Sequence, residues 1–437
     1  MKIRIQVEHP LHWEVLSPSS PQRQISASRF WKLPVILIVG CMLSGCGGGG
    51  GTAGGPAPII DFSKKRDVVN PGIVVPLFQD RKTEGSGTPA DFDYLEVDSP
   101  SFVDDAGRTN DRGMLFYEAT DENGTNSIGL VTSADYDDFG VPVINRAQVL
   151  VAGDLPQVEF TQTGLFEDAI AVSDPSVIVD KGIPLSPPTV GRYRMWVEGV
   201  YSSAGTLSAI LTTSSADGQN WEPPQLCVGL ELGPLFGDVI RIVDADVVKV
   251  DEPGEAYRMI FEVIRSDLSS VFGMATTSDI NGVNWTVTDG VYTGTEAGPV
   301  FSGGPGDFDD GSVQSPGLGI ERNDTGDIVE WHLFYEAKPS DFLANNDSLI
   351  GYSNSVDGFS WSGYAVPVIT ATSDLIQPTA FDSDDVKHPD VLIRIPDPPS
   401  TDPLISSDLN RFILFYSGDS VSEDPNEVNR IGLGTAE

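Results

Sequence analysis

The chain has 437 residues, 64 of them Asp or Glu and 26 Lys or Arg, giving a formal net charge of −38. A field of that sign repels nucleic acid and anionic lipid surfaces, which excludes nucleic acid as a partner, and it favours cations such as Ca²⁺ or neutral partners such as glycans. Ordinary hydrophobic (40%) and aromatic (9%) contents beside 46 Gly and 32 Pro indicate a globular, turn-rich, all-β chain without long helices.

At the N-terminus, Arg29 and Lys32 precede an apolar run from Leu33 to Val39. The run is too short to span a bilayer and suits the core of a signal peptide. It ends in Leu43-Ser44-Gly45-Cys46, which resembles the lipobox of bacterial lipoproteins. That resemblance implies cleavage before Cys46, diacylation of its thiol and membrane attachment through the lipid. Residues 1–45 are then a signal peptide with a long n-region, and an overextended gene start explains residues 1–28 equally well. Removing residues 1–45 takes the charge to −41. Residues 46–69 form a tether whose glycines, Gly47 to Gly51 and Gly54-Gly55, make it flexible. Because Gly47 is not the Asp that retains many such lipoproteins at the inner membrane, the resemblance implies a lipid-anchored envelope protein. Its expected place is the outer membrane, on the periplasmic face or at the cell surface. Loss of Cys41 and acylation of Cys46 leave Cys227 without a disulfide partner, so it is expected to be a buried, inert thiol.

From residue 70 onwards an internal repeat sets the architecture. Its first part is an aromatic with acidic and small residues, followed by Pro or its equivalent opening an apolar strand. The copies run Phe92 to Pro100, Phe166 to Pro175, Phe236 to Ala245, Phe308 to Pro316 and Phe381 to Pro389, spaced 70 to 75 residues apart. Its second part is an apolar strand ending in an acid: Met114 to Glu118, Met195 to Glu198, Met259 to Glu262 and Leu333 to Glu336, with Ser417 replacing the acid in the fifth copy. A third strand with small residues follows, as at Gly129, Gly273, Gly351 and Gly432, where close backbone approach between sheets is expected. Asp-Gly turns or their equivalents then lead to Trp221, Trp285 and Trp361, which are assigned to packing between blades rather than to sugar platforms. The last unit lacks its final strand, and Val75-Pro76-Leu77-Phe78 matches Val366-Pro367-Val368-Ile369 of the fourth unit. The sequence therefore predicts one five-bladed β-propeller over residues 70–437, with four-stranded blades and a ring closed by the N-terminal strand.

The recurring Asp-Pro-x-Val, aromatic strand and Ser-x-Asp-Gly-x-x-Trp resemble the five-bladed propellers of glycoside hydrolases, including arabinanases, β-xylosidases and invertases. In that superfamily the innermost strands line a funnel, and carboxylates at their starts meet the sugar. The slot before each Pro position here reads Ser99, Asp174, Asp244, Ser315 and His388. The resemblance implies Asp174 as a catalytic base and Asp244 as a second catalytic carboxylate that tunes or orients the acid. Where the general-acid Glu is expected, the chain has Gln314-Ser315-Pro316, and neither side chain donates a proton as a carboxylic acid does. The strand-end acids Glu118, Glu198, Glu262 and Glu336 recur too often for a residue needed once, which assigns them an anchoring role. His388 has two readings, a ligand to a channel cation such as Ca²⁺ or a hydrogen bond within the inner strand. His332, beside Trp331, is read as structural. Asp307, Asp309 and Asp310, with Asp382, Asp384 and Asp385, offer hard oxygen ligands for Ca²⁺ without the spacing of a defined calcium loop.

Two functions fit. The first is a hydrolase acting on arabinose-, xylose- or fructose-type glycans. The second is a non-catalytic propeller that binds a glycan or a protein at the surface. A sialidase-like propeller ranks third, because the Asp-Gly-Trp turn is a scaffold feature.

Overall fold

The computed structural model describes residues 3–5, 60, 62–64, 76–85, 87–105, 107–108, 111–134, 139, 145–160, 164–184, 190–202, 207–230, 232, 236–288, 299–303, 308–340, 348–372, 380–393, 411–419 and 429–436. Cys46, the glycine tether to residue 59 and the signal segment beyond residue 5 lie outside them.

Five four-stranded antiparallel sheets follow one another along the chain. The first blade runs Glu96–Asp104, Gly113–Thr120, Asn126–Ser133 and Arg146–Leu150. The second runs Ala171–Pro184, Val190–Val200, Ser208–Ser215 and Gln225–Leu226, and the third Val239–Glu252, Glu255–Arg265, Ser270–Thr277 and Thr286–Thr288. The fourth comprises Ser312–Arg322, Ile328–Lys338, Leu349–Ser355 and Ser362–Gly363. In the fifth, Asp385–Ile393, Phe412–Asp419 and Arg430–Ala436 are completed by Ser63–Lys64 from the N-terminal side. Each first strand touches the first strand of the next blade, and the fifth touches the first. The result is the predicted all-β five-bladed propeller with an N-terminal closing strand.

The closing strand starts before residue 70. Ser63 pairs with Thr435 and Lys64 with Gly434, while Phe62 packs edge-on against Phe334 at 5.8 Å. The burial of Phe62 draws this stretch out of the tether and into the blade. The Val75 to Phe78 match also holds at Phe78, which bridges Ile431 just as Ile369 bridges Ile350. Between the first two blades, Val158–Phe160 and Leu165–Glu167 form a hairpin, and Ile3–Ile5 pairs parallel to its first strand.

The second strands are buried on both faces, since each blade is sandwiched between two others; Met114, Leu115, Phe116 and Tyr117 are all fully covered. That explains why these segments read as continuous apolar runs rather than as alternation. The third-strand glycines serve a purpose other than sheet approach. A Cβ on Gly129, Gly351 or Gly432 would lie within 2.6 Å of the ring of Tyr117, Tyr335 or Tyr416, the residue paired with it on the second strand. Each of those tyrosines donates to the acid that follows the repeat's opening aromatic: Tyr117 to Asp93 (3.1 Å), Tyr335 to Asp309 (2.9 Å) and Tyr416 to Asp382 (2.9 Å). Asp309 and Asp382 therefore each accept a core hydrogen bond and Asp310 accepts from Ser340, while Asp307 lies outside the described residues.

The turn tryptophans pack between blades. Trp221 meets Phe116 of the first blade at 5.9 Å, and Trp285 meets Trp196 of the second at 6.2 Å. The turns themselves accept hydrogen bonds from the preceding blade, Ile280 from Arg194 (2.8 Å) and Asp357 from Arg258 (3.1 Å). Cys227 is free and buried, and burial pushes its thiol up to about 12, so it is inert as expected.

Candidate functional site

The five slot residues share one backbone conformation. Ser99, Asp174, Asp244, Ser315 and His388 have φ between 42° and 49°, in the left-handed region. Among the described residues only two other non-glycine positions, Asp251 and Leu268, have positive φ. Each slot also coincides with a break in register between the first and second strands of its blade, a β-bulge. Bulges re-aim side chains, and a non-glycine residue held left-handed costs on the order of 1–3 kcal/mol. The structure bears that cost five times around one axis, and the five side chains line a single funnel.

The slots are wired to one another across blade boundaries. Ser99 donates its hydroxyl to Asp174 Oδ1 at 2.7 Å, and Ser315 donates to Asp244 Oδ2 at 2.9 Å. His388 Nδ1 lies 2.7 Å from Asp98 Oδ1, closing the circle between the fifth and first blades. Of the two readings of His388, the hydrogen bond is therefore present, made to the neighbouring blade rather than within its own strand. Gln314 does not line the funnel; its amide donates to Ser270 Oγ at 3.4 Å.

Below the slots a second belt joins the blades. Ser101, Ser176, Asp246 and Asp390, two residues beyond their slots, accept the backbone N–H of Val177, Val247, Leu318 and Phe102 on the next inner strand. The fourth blade has Gly317 at this position, and its backbone passes directly against the Pro389 carbonyl.

Electrostatics divide these groups into two protonation classes. Burial pushes Asp244 well above the usual carboxylate range, and the charges of Asp174 and Glu262 add to the shift. Burial and then Asp174 likewise raise Glu118 and Glu198. Burial also raises Asp390 to about 8, with Asp246 contributing, and Asp246 itself to about 6. Against burial, the charge and hydrogen bond of Asp98 raise His388 to about 9. Asp98 is held well below its ordinary value although burial opposes this, because His388 and Lys387 stabilise its anion. Burial thus favours the neutral form of Asp244, while His388 holds its proton beside the Asp98 anion.

The strand-end acids occupy a recurring structural place. Glu262 accepts the Ser270 hydroxyl at 2.6 Å and the backbone N–H of Ser315 at 3.2 Å, and Glu336 accepts the Ser348 hydroxyl at 2.8 Å. Glu118 accepts the amide of Asn126. Where Ser417 replaces the acid, Asn429 reaches across to Asp98 Oδ2 at 2.6 Å. Glu118, Glu262 and Glu336 therefore each tie the start of a third strand beneath the funnel.

One donor atom each from Asp174, Asp244 and His388 lies within 4.8 Å of the others. The three could hold a cation in the channel, two oxygens and a nitrogen suiting a hard or borderline divalent ion. Binding it would compete with protonation of Asp244 and His388.

Among solved structures the fold is that of five-bladed glycoside hydrolases. A glycosyl hydrolase from Bacteroides ovatus superposes with a TM-score of 0.51 at 15% identity, over 86% of this chain and 93% of that one. The catalytic domain of the Coprinopsis cinerea GH62 α-L-arabinofuranosidase matches with a TM-score of 0.51 at 14% identity, over 86% and 97%. The Podospora anserina α-L-arabinofuranosidase in complex with cellotriose matches with a TM-score of 0.50 at 11% identity, over 83% and 95%. No protein-family model matches the chain. No curated protein matches it by sequence.

Proposed function

We propose that the chain is a glycan-active propeller whose funnel cleaves arabinose-, xylose- or fructose-type linkages, with Asp174 as the reacting carboxylate and Asp244 as the protonated partner. The observation that carries this reading is the convergence of five left-handed bulges, which bring the carboxyl groups of Asp174 and Asp244 together on one axis. Glycoside cleavage requires such a pair, one group to attack or to activate water and the other to protonate the leaving oxygen. Asp244 supplies the proton that Gln314-Ser315 cannot. Ser99 and Ser315 orient the two carboxyl groups through the hydrogen bonds described above. The arabinofuranosidase activity and bound cellotriose of the similar structures support a glycan as ligand. The lipobox-like Leu43 to Cys46 supports presentation from a lipid anchor on Cys46 in the cell envelope.

The test is product release from arabinan, xylan, fructan and mannan panels, with and without Ca²⁺, by the wild type, Asp174→Asn and Asp244→Asn. Turnover lost in both variants supports the reading. Turnover that survives Asp174→Asn overturns it. The second reading, a binding propeller without turnover, is favoured by Gln314 at the expected acid position and its tie to Ser270. It predicts glycan affinity without release, weakened in Asp174→Asn.

A further inference from the structure

Away from the funnel, the fourth blade gathers a second set of donors that neither catalysis nor ring closure uses. Glu321 lies near the end of the blade's first strand and pairs directly opposite Glu330 on its second. His332 follows two residues after Glu330, so strand periodicity puts both on the same face. Like charges opposite one another in a sheet are unfavourable, and here a histidine is added beside them rather than a lysine.

The histidine makes this more than an acidic cluster. His332 is 1% exposed, and its Nε2 is buried without a hydrogen-bond partner. That nitrogen faces the two carboxylates, 3.6 Å from Glu321 Oε2 and 3.9 Å from Glu330 Oε2, too far for a hydrogen bond to either. Its other nitrogen, Nδ1, is 2.7 Å from the Tyr352 hydroxyl. In the tautomer whose Nδ1–H donates to Tyr352, the Nε2 lone pair faces two anionic oxygens, the disposition that ligation of a cation between them requires. The nearby cation is Arg411, which bonds Glu321 Oε2 closely and stands 3.6 Å from Glu330 Oε2, so it offsets one of the two carboxylate charges.

We propose that Glu321, Glu330 and His332 form a Zn²⁺ site beside the seam between the fourth and fifth blades. Ligands ~2.0–2.2 Å from a tetrahedral zinc lie roughly 3.4 Å from one another, so separations of 3.6 and 3.9 Å close with shifts of a few tenths of an ångström. A nitrogen with two carboxylates suits zinc better than calcium, whose ligands are oxygens. The outer shell is in place: Tyr352 fixes the imidazole, and Asn354 donates to the free oxygen of Glu330 at 2.6 Å. Glu321 and Glu330 are 22% and 29% exposed at the side chain, which opens a path for the ion and a water as fourth ligand. The ion would clamp the first strand of the blade to its second, next to Phe412 of the fifth, whose ring meets His332 at 5.1 Å.

The experiment uses the full chain, stripped with EDTA and titrated with Zn²⁺ by calorimetry, then with Co²⁺ by visible absorption. Expected is a site lost in His332→Gln and in Glu330→Gln, kept in His388→Gln, and several-fold tighter in Arg411→Ala, where the competing guanidinium is gone. Circular dichroism checks that each variant is folded, and the two ligand variants on different residues separate loss of the site from loss of the fold. Absence of binding in the wild type overturns the proposal, as does binding that survives both ligand variants. Binding abolished by His388→Gln instead moves the ion to the funnel and overturns it equally.

Discussion

His388 on the fifth blade and Asp98 on the first form an ion pair across the boundary where the ring closes, with Nδ1 and Oδ1 2.7 Å apart. The pair makes a pH prediction with a definite sign. His388 titrates at about 9 in the fold and near ~6.5 when unfolded, so between those values the native state holds a proton that the unfolded chain has lost. This contribution is complete below pH ~6.5 and is lost as pH rises through about 9. His388→Gln should cost ~2 kcal/mol at pH 6 and flatten the fall of Tm from pH 6.5 to 9. A slope unchanged in the variant would place its origin elsewhere.

Ser315 isolates the cost of aiming a side chain down the axis. Both Ser315→Ala and Ser315→Gly lose the hydroxyl that reaches Asp244, so the difference between them reports the backbone alone. In an ordinary strand glycine is worse than alanine by ~0.5–1 kcal/mol. At φ 45° the order should invert, with the glycine variant more stable by about 1 kcal/mol in urea unfolding. Equal stability would mean the bulge relaxes at no cost.

Asp390 gives a second pH dependence with a different window. Its folded value of about 8, raised by burial and by Asp246, stands above an unfolded ~3.9, so the native state keeps a proton that the unfolded chain sheds. Stability from this group is therefore present below pH ~4 and is lost as pH rises through about 8. Asp390→Asn retains an acceptor for the Phe102 N–H and should remove that loss, leaving the variant as stable as wild type near pH 4 and increasingly more stable towards pH 8. Asp390→Ala leaves the N–H unpaired and should cost ~1–3 kcal/mol at both.

The legible parts of this structure were those that recur. The slot residues were readable because each precedes Pro or its equivalent at a spacing of 70 to 75, and the structure brings all five to one funnel. The anchoring role of the strand-end acids was readable for the same reason, four copies implying a shared task. Asp98 was not, because it is a −1 residue acting across the ring on His388, 290 positions away, and only closure brings them together. Asp246 and Asp390 carried a faint signal: reading two residues past each slot gives Ser101, Ser176, Asp246, Gly317 and Asp390, a row of acceptors broken by one glycine. Ser63–Lys64 gave none, since a two-residue edge strand is too short for any periodicity. The outward turn of Gln314 was equally hidden, because a bulge at the next residue decides which side faces the axis.

The glycine in that row supports the last prediction. Around the inner belt four side chains accept an N–H from the neighbouring blade, and at the fourth blade the gap narrows until only a hydrogen fits. An ideal Cβ on Gly317 would stand 2.3 Å from the Pro389 oxygen and 3.0 Å from its carbon. Neither is the end of a flexible side chain; both belong to the backbone of the inner strand that carries His388. Relief would require the fourth and fifth inner strands to part, which would also disturb the His388–Asp98 pair. Gly317→Ala should cost more than ~4 kcal/mol or prevent folding. As a control, an added Cβ at Gly153 meets nothing within 4 Å, so Gly153→Ala should stay within about 0.5 kcal/mol of wild type. If the two urea midpoints shift alike, the fourth and fifth blades are not in the close contact that this belt requires.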